Sequence, residues 1–70
     1  MVLYIQILME DFYNTKRLAL ILAVQAEIEG MKAENMQRQQ LGHSMAWDES
    51  SFCEKAEELR TLAYAHNEQL

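Results

Sequence analysis

The chain has 70 residues with one cysteine, no proline and two glycines, and eleven acidic against six basic residues leave a net charge of −5. A folded chain of this size buries only about 60% of its unfolded surface, so disulfides, a metal or oligomerisation normally support it. Lone Cys53 excludes an internal disulfide, Cys53 with His43 and His66 lacks zinc-ligand spacing, and the acidic balance opposes a phosphate backbone and excludes nucleic acid as a partner.

The first segment, residues 1–13, is apolar. Val2-Leu3-Tyr4-Ile5-Gln6-Ile7-Leu8 is rich in β-branched and aromatic residues and reads as a strand over 2–8. A helix continuous with the next segment is the alternative, because short apolar runs are ambiguous by period.

A long helix comes next, over about 15–41 within a segment 14–42, with Tyr13, Asn14 and Leu18 fitting a staple and cap. Lys16 and Arg17 would then oppose the dipole of its first turn. Leu18-Ala19-Leu20-Ile21-Leu22-Ala23-Val24 is apolar on every side, whereas a surface helix carries one apolar stripe. The basic pair, the apolar run and Val24-Gln25-Ala26 have the order of a signal peptide but lie too far into the chain, so cleavage is not expected. The run also falls short of the roughly 20 residues of a membrane span. With an unpaired thiol suited to a reducing compartment, the expected location is the cytoplasm.

Ile21, Val24, Ile28 and Met31 form one stripe that continues into polar Asn35 and Arg38. Gly30 lies inside the helix at a cost of about 1 kcal/mol against alanine, as a kink or a point of close approach. Gly42 stands where a helix C′ glycine would supply the left-handed residue.

A short turn, 43–48, forces an antiparallel hairpin. Asp48 is a good N-cap for a second helix over about 49–66, with Trp47 and Phe52 placed as a hydrophobic staple. Phe52, Ala56, Leu59, Leu62, Ala63 and His66 share its apolar face, and Glu54, Lys55, Glu57, Glu58 and Arg60 mostly cover the rest. The two helices would be roughly 40 Å and 27 Å long, so the second runs out near residue 23. The LALILAV end would then stay uncovered by its own hairpin.

The expected architecture is mainly α: a single domain over 1–70, an antiparallel helical hairpin behind an apolar N-terminal segment, and homo-oligomeric. Leu18, Ile21, Leu22, Val24 and Ile28 are the expected oligomer interface.

No catalytic signature is present, and no metal or other cofactor is expected. Glu54, Glu57 and Glu58 share a helix face, but helix one offers no matching ligand motif, and a solvated acidic face explains them. Cys53 has neither an orienting group nor an oxyanion hole and reads as a small packing residue. The five methionines are read as gap fillers.

The turn region is the candidate for recognition. Residues 32–43 are the only locally basic stretch, and Asn35, Arg38, His43, Ser44 and Trp47 could hold a small anionic, nucleotide-like ligand. The bland alternative pairs Arg38 with Glu49 or Glu54 and leaves Trp47 as a staple. A host protein bound by the acidic face of helix two, or a purely structural assembly, are the other two functions that stay open.

Met31-Lys32-Ala33-Glu34-Asn35, Arg38, Gly42, Ser44, Ala46-Trp47 and Phe52 carry a resemblance over residues 31–52 to short orphan helical proteins encoded by bacteriophages. The resemblance implies a compact accessory or anti-defence factor in the host cytoplasm. Such a factor acts stoichiometrically, by occupying a host protein or sequestering a signal molecule.

Overall fold

The computed structural model describes the backbone of residues 2–70 and the side chains of residues 9–70. Two helices, α1 (Val2–Gln40) and α2 (Glu49–Tyr64), form an antiparallel hairpin, followed by a 3-10 turn at Asn67–Gln69. No strand occurs among the described residues.

Residues 2–8, expected first as a strand, are helical and continuous with the rest of α1. A lone strand leaves its backbone N–H and C=O groups without partners inside the chain, whereas a helix satisfies them locally. Neither proline nor glycine interrupts the sequence before Gly30. The expected cap at Asn14 is therefore passed over, and Lys16 and Arg17 lie mid-helix, clear of the N-terminal dipole. Gly30 causes no break, and a Cβ built there would meet nothing within 4 Å.

The end of α1 follows the expectation for Gly42. Its φ of 76° is left-handed. The His43 N–H donates to the Arg38 carbonyl at 2.8 Å and the Gly42 N–H to that of Gln39 at 3.1 Å. That pair of bonds is a Schellman motif, which closes the last carbonyls of the helix.

Asp48 caps α2 as expected, its Oδ1 accepting from the Ser51 N–H at 3.1 Å. The helix stops at Tyr64, where Ala65 turns extended, so His66 stands outside it and is exposed. The extended Ala65–His66 step and the 3-10 turn carry the return beyond residue 23, as far as Arg17.

Packing between the helices is thin. Only Val24 and Met31, 6% and 7% exposed, are buried hydrophobics among the described residues. Ile21, Ile28, Phe52, Leu59 and Leu62 are half-buried. The molecule measures 62 × 17 × 10 Å, with a radius of gyration of 17.2 Å. A compact chain of this length would have a radius near 11 Å. Here the length of α1 sets the shape.

Candidate functional site

Three polar links tie the helices together, one at each end and one in the middle. At the turn, Asn35 of α1 reads the backbone of Trp47 in both directions. Its Nδ2 donates to the Trp47 carbonyl at 2.8 Å, and its Oδ1 accepts from the Trp47 N–H at 2.9 Å. The indole N–H of Trp47 donates to Glu34 Oε2 at 2.9 Å. Glu34 also lies 3.5 Å from the guanidinium of Arg38, one turn on. Arg38 thus pairs within its own helix, not with Glu49 or Glu54.

At mid-hairpin the Lys55 ammonium bridges Glu27 of α1 and Glu58 of α2. Hydrogen bonds donated to Glu27 first and to Glu58 second raise the Lys55 pKa above its ordinary 10.5, against a smaller opposing desolvation.

At the far end Arg17 grips the exit of α2. Its Nε donates to the Leu62 carbonyl at 2.9 Å, while Nη2 reaches the Ala65 carbonyl and, at 3.4 Å, Asn67 Oδ1. The last carbonyls of a helix lack intrahelical partners, and a cation there also meets the negative end of the dipole.

The expected ligand residues are only partly gathered. Asn35 and Trp47 come together, but Asn35 spends both ends of its amide on the Trp47 backbone. Arg38 stands next to them beside its acid, while His43 and Ser44 are exposed on the turn. A hollow of about 480 Å³ opens between the helices next to the turn, and Glu27, Glu34 and Glu54 line it together with Lys55. Its one cation already carries two acids. A second hollow of about 520 Å³ has Leu20, Ala23, Val24 and Leu62 among its lining, again with four glutamates.

The five residues expected at an oligomer interface fall on two different faces of α1. Val24 is buried and Ile21 and Ile28 half-buried on the stripe they share with Met31. Leu18 and Leu22 point away, 56% and 58% exposed. Phe12, 62% exposed, and Met36, 61%, add to the uncovered apolar surface of the helix.

Sequence reasoning missed Arg17, Glu27, Glu34 and Lys55 as linking residues. A basic residue at the border of the apolar run 18–24 was the available signal for Arg17, yet its partners lie 45 to 50 residues away. Cys53 is exposed instead of packed. Among the described residues no group of three His, Cys, Asp or Glu side chains converges as metal ligands would, and no helix is long and apolar enough to cross a membrane.

No protein-family model, curated protein or solved structure matches this chain.

Proposed function

We propose that this chain is a non-enzymatic interaction protein, a helical hairpin that acts by pressing the outer face of α1 against another polypeptide. The observation that carries this reading is the apolar surface left outside the hairpin. Phe12, Leu18, Leu22 and Met36 of α1 are each more than half exposed, and the elongated chain as a whole exposes 5784 Å², against about 4,500 Å² for a compact monomer of 8.2 kDa. Isolated exposed leucines are ordinary, but a continuous apolar face marks an interaction surface.

An anionic ligand near the turn has weaker support. The Asn35 amide is occupied, and the adjoining hollow has three glutamates, so an anion would enter against their charge. The resemblance of residues 31–52 to phage accessory proteins fits a stoichiometric mode of action. Glu54, Glu57 and Glu58 of α2 are exposed and line the second hollow, so they too would repel an anion there.

Replacing both Leu18 and Leu22 by Glu tests the reading. Neither residue belongs to the core, so helical circular dichroism should persist. A charge placed in an apolar contact is costly, so associations seen in sedimentation velocity should disappear. Should the wild-type face be uncovered instead, it should bind an apolar dye that the double variant does not. A wild-type chain that neither associates nor binds dye through this face would overturn the proposal.

A further inference from the structure

We infer that the occupant of this face is a second copy of the chain, with the two α1 helices packed antiparallel and both α2 helices outermost. The inference rests on the interaction reading and names its partner.

The face is defined by helical geometry. At 3.6 residues per turn, Leu18, Leu22 and Ala26 stack on one side of α1, roughly opposite Val24 and Met31. Thr15 and Ala33 extend the same side in either direction, and all of these outer residues are exposed. Ala26 and Ala33 follow the two leucines along this side, and residues that small let a neighbouring helix approach closely. The side turned to α2 is already occupied, so a partner helix has this one free.

Area sets the partner's size. The surplus surface is roughly 1,250 Å² per chain over a compact monomer. That surplus belongs to the whole rod, and a homodimer in which each chain lost about as much would bury roughly 2,500 Å², inside the range of homodimer interfaces. A symmetric pair also needs no surface other than the one already exposed.

Charge and side-chain size set the direction. Asp11 and Glu29 lie on the same side as the leucines, about five turns apart. A parallel, in-register pair would set Asp11 against Asp11 and Glu29 against Glu29. It would also stack Leu18 on Leu18 and leave Ala26 facing Ala26 across a gap. An antiparallel pair centred on Leu22 sets Leu18 against Ala26, Asp11 against Ala33 and Glu29 against Thr15. Leu18 then meets Ala26, Leu22 alone packs on its own copy at the centre, and no acid opposes its own copy. Lys32, paired with Glu29 within its own helix, stands on the flank of this side next to the position of the partner's Asp11 and carries the opposite charge.

Pulsed electron–electron resonance on the full chain decides the matter, with one nitroxide at Gln39→Cys in a Cys53→Ser background. Gln39 is exposed and lies off the proposed face. The antiparallel pair separates the labels by about 50 Å along the helix axis. A parallel pair brings them within about 20 Å, the width of two packed helices with their labels. The expected result is the long distance, lost on adding Leu22→Glu while helical signal is retained. A short distance, or a long one that survives Leu22→Glu, overturns the antiparallel face. A monomer at high concentration overturns the second copy. If that monomer binds the apolar dye through Leu18 and Leu22, the interaction reading stands and the face belongs to a different protein.

Discussion

Arg17 shows how much one side chain can hold in so thin a hairpin. Its guanidinium answers two carbonyls and an amide oxygen at the exit of α2, from a half-buried position on α1. Hydrogen bonds that involve a charged group contribute about 1.5–3 kcal/mol where they are shielded, and this one is only partly shielded. Arg17→Met keeps most of the stem and removes the donors, so chemical denaturation should show a loss of about 1.5 kcal/mol. Arg17→Lys should not restore it, because an ammonium lacks the planar fork that spans two carbonyls. Equal stability of wild type and Arg17→Met would mean that the end of α2 is held by apolar packing alone. Asn35 acts by a related logic, since its amide copies the two-way bonding of a neighbouring strand and fixes the turn at Trp47.

Between the helices the central tie is Lys55. Glu27 and Glu58 raise its pKa, so the ammonium is favoured in the folded chain over the unfolded one. The stabilisation is then fully present below the ordinary value of 10.5 and fades as pH rises through the higher folded value. Lys55→Met should melt below the wild type at pH 7, and the gap between the two should close above pH 10.5. A gap that stays constant through strongly alkaline pH would assign the effect to packing of the lysine stem. The exposed i,i+3 pairs, Lys32 with Glu29 and Arg60 with Glu57, matter less, because solvent and salt screen them.

The whole molecule is a long rod with a short brace along part of it. α1 spans nearly the full 62 Å, while α2 and the 3-10 turn return only as far as Arg17. Two buried hydrophobic side chains among the described residues make a small core for 70 residues. A second copy that binds the folded hairpin adds stability by mass action. The melting temperature should then climb as protein concentration rises from micromolar to millimolar. A melting temperature independent of concentration, for a chain that melts cooperatively, would mean that the hairpin stands alone.

The amino-acid sequence by itself determined the local events. Gly42 ends α1 because only a residue free of Cβ takes a positive φ without penalty, and Asp48 starts α2 because its carboxylate reaches the free amides of the first turn. The hairpin and the amphipathic second helix were legible for the same reason. Each depends on residues within a few turns of one another. Tertiary structure decided what depends on distant chain. Strand and helix are close in preference over residues 2–8, and continuity with α1 selects helix. Neighbouring Leu22 and Val24 are equally apolar, yet only the path of α2 buries one and leaves the other outside. Arg17 and Asn35 became links because their partners lie elsewhere in the chain, on the return from α2 and at Trp47 before it. Local preference carries no information about where a return helix stops, since that is set by how far packing and hydrogen bonding can follow the first helix back.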